Sequence, residues 1–205
     1  MLWEVDIFPR PDQPNLAARR VASEAADLGL ASALAVAAGS GYLIQGDLDR
    51  DQVLRIADEL LADRVVEETI VAPVGDHALC QASDGRTQLI HVLPKPGVMD
   101  PVAQSVMAAI ADFGCRAEAV RTLKKYWISP LDDDKLQLLA TKVLANDAIE
   151  QVIVGPLDFT HLELGSPFEF KRVTVAIRSM DDAALEQLSR HGQLFLSLAE
   201  MRTIQ

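Results

Sequence analysis

The sequence predicts an α+β fold made of two tandem β-α-β-α-β units, with mostly antiparallel sheets, helices on one face and a pseudo-twofold relation between the units. Two observations carry this expectation. The first is an internal repeat: residues 5–30 (VDIFPRPDQPNLAARRVASEAADLGL) align with residues 90–115 (IHVLPKPGVMDPVAQSVMAAIADFGC) at one constant offset. Pro9, Pro11, Ala18, Val21, Ala26, Asp27 and Gly29 recur as Pro94, Pro96, Ala103, Val106, Ala111, Asp112 and Gly114. Further on, Tyr42 and Ile44 meet Tyr126 and Ile128, and LADRVVEETIVAPV (61–74) meets LANDAIEQVIVGPL (144–157). The ordered recurrence of Pro-basic-Pro, Ala-Asp-x-Gly and Val-x-Pro is beyond what shared apolar composition supplies. The second observation is that hydrophobic periodicity switches between two and about 3.6 in the same order within each copy.

Each element follows from local chemistry. Trp3 to Phe8 alternates Val5 and Ile7 with Glu4 and Asp6, a half-buried strand with its acids facing outward. The proline-rich stretch 9–14 ends it, because proline cannot continue a ladder. Leu16, Arg20, Val21, Ala25 and Leu28 are spaced by three and four, so 15–28 is a helix stopped by Gly29. A strand or bent hairpin follows over 31–45, with Gly39-Ser40-Gly41 as its turn. Asp49 or Asp51 starts a helix with Val53, Ile56, Ala57, Leu60 and Leu61 on one face, and Val65 to Val71 is a strand. The second copy places strands at 88–93, 116–128 and 148–154 and helices near 100–113 and 132–145. Asp76 to Gly85 links the copies, giving domains at 1–76, 86–157 and 158–205. In the last of these, 168–177 reads as a strand and 180–190 as a helix ended by Gly192. A unit with helices on one face leaves its other sheet face uncovered, and the other copy's sheet or a partner protein is expected there.

Composition excludes several functions. The 205 residues hold 30 acidic and 19 basic side chains, a net charge of -11, which disfavours nucleic acid and anionic membrane surfaces. The longest apolar run, Leu28 to Ala38, is far short of the roughly 18 residues of a membrane span. The opening Met-Leu-Trp-Glu has no secretory character, so a cytoplasmic protein with Cys80 and Cys115 as buried, reduced thiols is expected.

No residue pattern nominates a catalyst. His77, His91, His161 and His191 are scattered, and His91, on an alternating strand, reads as a solvated strand histidine. Neither cysteine neighbours a histidine, and no serine sits in a nucleophile elbow. Asp132-Asp133-Asp134 reads as helix N-terminal acid rather than a cation site, and Glu67 and Glu68 as solvated residues where a strand begins. Arg121, Lys124 and Lys125 beside Tyr126 and Trp127 form a basic–aromatic cluster in an acidic chain. It is either a solvated strand face with its stems laid along the sheet or a contact surface. The aligned first-copy stretch, Ala38-Gly39-Ser40-Gly41, lacks it, which adds weight to contact.

The second copy also resembles the PurS family, the small subunit of phosphoribosylformylglycinamidine synthase in purine biosynthesis. The residues that carry the resemblance are Val92-Leu93-Pro94-Lys95-Pro96-Gly97-Val98-Met99-Asp100-Pro101, Val120-Arg121 with Lys124, and Leu144-Ala145-Asn146 followed by Ile149-Glu150. Leu123 departs from the family, which prefers glycine there, and the first copy, with Asp12 to Asn15, matches more weakly. Tandem copies resemble the PurS-like N-terminal region of the large, fused synthetase, and the tail from Ala183 to Ile204 resembles the linker toward its synthetase body. The resemblance implies a non-catalytic assembly module joining glutaminase and ATP-dependent synthetase parts of a glutamine-dependent ligase. It places ATP and magnesium in the synthetase part alone and no cofactor in this chain. Self-association is a further expectation. Lys95, Asp100, Arg121 and Lys124 are the expected interface residues. The alternative is a tandem regulatory domain of the ACT type binding a small molecule such as an amino acid, which the proline-rich strand-to-helix junctions disfavour.

Overall fold

The structure, a computed structural model, describes residues 1–81, 88–162 and 170–205. Contacts divide the chain into two units, Met1–Ser166 and Pro167–Gln205. The first contains strands β1 (Leu2–Pro9), β2 (Val36–Gln45), β3 (Glu67–Pro73), β4 (Gln88–Pro94), β5 (Ala119–Ile128) and β6 (Glu150–Val154). Its helices are α1 (Leu16–Asp27), α2 (Arg50–Ile56), α3 (Pro101–Asp112) and α4 (Asp133–Leu139). Both α2 and α4 run on into a single π-helical turn, Ala57–Leu61 and Ala140–Leu144.

The strands make one antiparallel sheet in the order β3-β1-β2-β5-β4-β6. Strands from residues 1–76 and from 88–157 therefore share one sheet. The join is the β2–β5 ladder, running from Val36↔Ile128 to Gln45↔Ala119. This corrects the reading of Gly39-Ser40-Gly41 as a turn: all three lie inside β2, at the centre of the sheet. A side chain at Gly39 would put its Cβ 2.3 Å from the Phe8 ring, and one at Gly41 would come within 2.4 Å of the Val5 carbonyl oxygen. Glycine there reflects close packing across the sheet.

The repeated sequence signals build matching ends on α1 and α3. Asn15 and Asp100 are their N-caps, accepting from the peptide N–H of Ala18 and Ala103. Each also ties its helix to a central strand: Asn15 donates to the Ala38 carbonyl at 2.7 Å, and Asp100 accepts from the Thr122 peptide N–H and hydroxyl at 2.9 and 2.8 Å. Gly29 and Gly114 take the left-handed conformation past each helix end, and the following N–H groups reach back to Ala25 and Ile110. Asp132 caps α4, with Asp133 and Asp134 in its first turn, so the acidic triplet serves the helix end as read.

The helices lie on one face; each long helix lies against the central strand of its own half and shares a core with strands of the other half. Ala18, Val21 and Ala25 of α1 share a core with Ile90, Val92, Tyr126 and Ile128, while Ala103 and Ile110 of α3 pack with Trp3, Val5, Ile7 and Ile44. Each fully buried Val, Ile or Leu side chain in these cores contributes about 1.5–3 kcal/mol, so both cores depend on both halves. The opposite face is closed by the chain itself, not by a second sheet: Leu157, Phe159 and Leu162 pack with Leu2, Leu43, Leu93 and Leu123.

Pro167–Gln205 contains a short 3-10 turn, Ile177–Ser179, and helices α5 (Asp182–His191) and α6 (Leu198–Ile204). Asp181 caps α5, Gly192 ends it, and Asp182 pairs with Arg202. The strand read over 168–177 does not form: 170–176 are irregular, and 168 and 169 lie outside the described residues. The alternation of apolar residues is present, but no ladder partner is found among the described residues. Of the linker 76–85, His77–Cys80 is a 3-10 turn and 82–85 lie outside the described residues. No described helix is long and apolar enough to cross a membrane.

Candidate functional site

Period-2 alternation splits the basic–aromatic cluster of β5 between the two sheet faces. Lys124 points to the helix side, while Arg121, Lys125 and Trp127 face the other way. Lys125 lies opposite Gly39 of β2 and His91 of β4. Its ammonium crosses β2 and donates to Glu4 and Asp6 of β1, at 2.7 Å each. The β2 residues along that path are Gly39 and Gly41, which place no side chain in it. His91 joins the cluster, with Nε2 3.5 Å from Glu4 Oε1 and Nδ1 3.0 Å from the Gly155 carbonyl oxygen.

All four groups are at most 1% exposed. The outward reading of Glu4 and Asp6 and the solvated readings of His91 and Lys125 are thereby corrected. The reason is that the helix-free face is covered, so an outward-pointing strand position there is interior. Charge balance could have revealed the cluster: two acids on alternate β1 positions need a cation, and the glycines of β2 mark the route one takes.

The same environment drives the two carboxyls apart. Burial and the neighbouring Glu4 charge push Asp6 up to about 8. Burial also raises Glu4, but His91 and Lys125 together outweigh it and hold that carboxyl below its ordinary value. Asp6 Oδ1 and His91 Nε2 are buried without a hydrogen-bond partner. Cys80 lies close enough to feel the charges of Lys125, Glu4 and Asp6, and burial raises its thiol. Both cysteines are free and only half-buried, where full burial was expected. A cluster so enclosed has no room for a substrate. Its effect is to tie β1 of the first half to β5 of the second.

The four expected interface residues occupy two places beside β5. Around the loop before α3, Arg121 is 7% exposed and donates to the Val98 carbonyl at 2.9 Å. Asp100, 9% exposed, caps α3, and Gly97 turns the loop at φ +84°. Arg121 and Asp100 thus shape the loop from inside. Nearer β6, Lys124 is exposed and pairs with Glu150 at 2.8 Å. Lys95, half-buried, donates to the Asp147 carbonyl. Burial raises the Glu150 carboxyl, but Lys124 and the Asn146 peptide N–H outweigh it and lower it.

Glu150 also accepts from the Asn146 N–H, closing the turn that leads into β6. In the first half Glu67 does the same for Asp63, and Arg10 donates to the carbonyls of Arg64 and Glu67. Glu67 was read as merely solvated; it holds a turn. Much of the recurring sequence pattern is therefore turn and cap chemistry. Exposed apolar side chains lie nearby, with Met99 at 73% and Val102 at 53%.

Residues 88–155, the strands and helices of the second half, match the PurS family, described as phosphoribosylformylglycinamidine (FGAM) synthase. No curated protein matches the chain.

Proposed function

We propose that this chain, whose residues 88–155 match the PurS family, is a non-catalytic assembly module of FGAM synthase, joining its glutaminase and ATP-dependent synthetase parts. The observation that carries the reading is the continuous β2–β5 ladder with Lys125 crossing it to Glu4 and Asp6, because it makes two PurS-sized halves into one rigid platform. Caps at Asn15 and Asp100, left-handed Gly29 and Gly114, and paired π turns support a tandem duplication with a pseudo-twofold between β2 and β5. In this reading the synthetase part binds ATP and magnesium, and this chain supplies no reacting group.

Lys124 and Lys95, with Met99 beside the loop that Arg121 and Asp100 shape, form the docking surface. Charge at such a rim mainly sets encounter rate and register. The test mixes the full chain with separately produced glutaminase and synthetase parts in an analytical ultracentrifuge. A ternary complex is expected, weakened by Lys124→Ala with the melting temperature unchanged. Failure of the three to co-sediment would overturn the proposal.

A further inference from the structure

The two edges of the sheet are built at matching positions but finished differently. On the first edge, Asp58 of the π turn accepts a hydrogen bond from the Thr69 hydroxyl of β3 at 3.1 Å and pairs with Arg64 at 2.8 Å. These contacts fasten the edge strand to the helix beside it, and Val71 is 7% exposed. On the second edge, the residues aligned with Asp58, Arg64 and Thr69 are Thr141, Asp147 and Val152. Neither fastening contact can form. The Thr141 hydroxyl donates instead to the Gln137 carbonyl of its own helix.

A groove of about 440 Å³ is left between β6 and α4, with Leu136, Ala140, Val152 and Val154 among its apolar lining. Val154, aligned with Val71, is 52% exposed. Asp133 and Asp147 stand at the groove where the first half has Arg50 and Arg64, so the charge is reversed at these two positions, while Lys95 keeps the basic position of Arg10.

The β6 backbone is also unpaired on this side. The Lys95 N–H donates to the Ile149 carbonyl and the Gly155 N–H to the Leu89 carbonyl, so odd-numbered residues bond inward to β4. The alternation of an antiparallel ladder turns the N–H and C=O of Val152 and Val154 away from β4. Among the described residues nothing pairs with them. An exposed edge of this kind is a template for one more strand. From this we infer that the β6 edge and its groove form a docking site for an extended segment of a partner protein. That segment adds to the sheet as a seventh strand, sets alternate apolar side chains into the groove and carries basic residues facing Asp133 and Asp147. A second copy pairing through its own β6 fits less well, because that strand brings Glu150 and Asp147 rather than a base.

The probes are a short synthetic peptide, Lys-Val-Thr-Val-Thr-Val-Lys, and its counterpart with glutamate at both ends, added to the full chain during amide hydrogen exchange. The basic peptide is expected to slow exchange at Val152 and Val154 by about tenfold or more and leave Thr69 and Val71 unchanged. The double change Thr141→Asp, Val152→Thr transfers the first edge's fastening and should abolish that protection. Asp147→Arg, at an exposed position, should weaken binding of the basic peptide while leaving the melting temperature in place. The inference is overturned if millimolar basic peptide protects neither valine amide or if the glutamate peptide binds equally well. It is equally overturned if both variants bind like the parent, or if protection grows with protein concentration alone, which would mark self-pairing.

Discussion

Lys125 is held in the sheet centre by Glu4 and Asp6 of the other half, and its removal would leave the ionised Glu4 without its lysine. Lys125→Met is expected to destabilise the chain by about 3–5 kcal/mol, because breaking a buried pair strands its partners. Asp6 sets a pH dependence of known sign. Its folded pKa of about 8 lies above its ordinary 3.8, so its neutral form is favoured by folding. The stability linked to that proton is complete below the ordinary value and is lost as pH rises toward 8. Glu4, shifted downward, contributes in the opposite sense, with stability present above its ordinary value and lost in acid. Asp6→Asn should therefore flatten the fall in stability between mildly acidic and mildly alkaline pH, as read from urea midpoints across that range. An unchanged slope would show that Asp6 does not hold the proton. None of this was legible from alternation alone, which marks a face but not whether that face meets water.

At the scale of elements, the sequence signals that proved most readable were those with local causes. Asp132 before an apolar period, and glycine after Ala-Asp-x, specify helix ends through bonds spanning only a few residues. Strand 168–177 was misread for the complementary reason: a ladder needs a partner distant in the chain, and periodicity cannot supply one. The resemblance-based residues divide along the same line. Arg121→Ala removes a charged donor from the Val98 carbonyl and should cost about 1–3 kcal/mol. Asp100→Ala loses the α3 cap and both Thr122 bonds and should cost at least as much, about 2 kcal/mol or more. Lys124→Ala, at an exposed pair, should stay within about 0.5 kcal/mol. Thermal melts of the three single variants separate loop-shaping from rim residues. Equal melting temperatures for all three would contradict the division.

Across the whole molecule, a recurring sequence pattern was visible, but the way the two stretches that carry it meet was not. Two sheets stacked face to face and two sheets joined edge to edge satisfy the same periodicity. The choice rests on β2, where Gly39 and Gly41 admit a flush central strand, and on Lys125, which meets Glu4 and Asp6 across that join. With both cores built from both halves, residues 1–80 alone would expose the β2 edge and half a core, so that fragment should associate or unfold without cooperativity. A monomeric fragment with sharp unfolding would count against the shared core. The assembly role itself is tested most directly by measuring FGAM formation by the glutaminase and synthetase parts, with glutamine or with ammonia, in the presence and absence of the full chain. The account predicts that the chain raises the glutamine-dependent rate well above its effect on the ammonia-dependent rate and has no activity alone. Equal rates with and without the chain, on either nitrogen source, would contradict it.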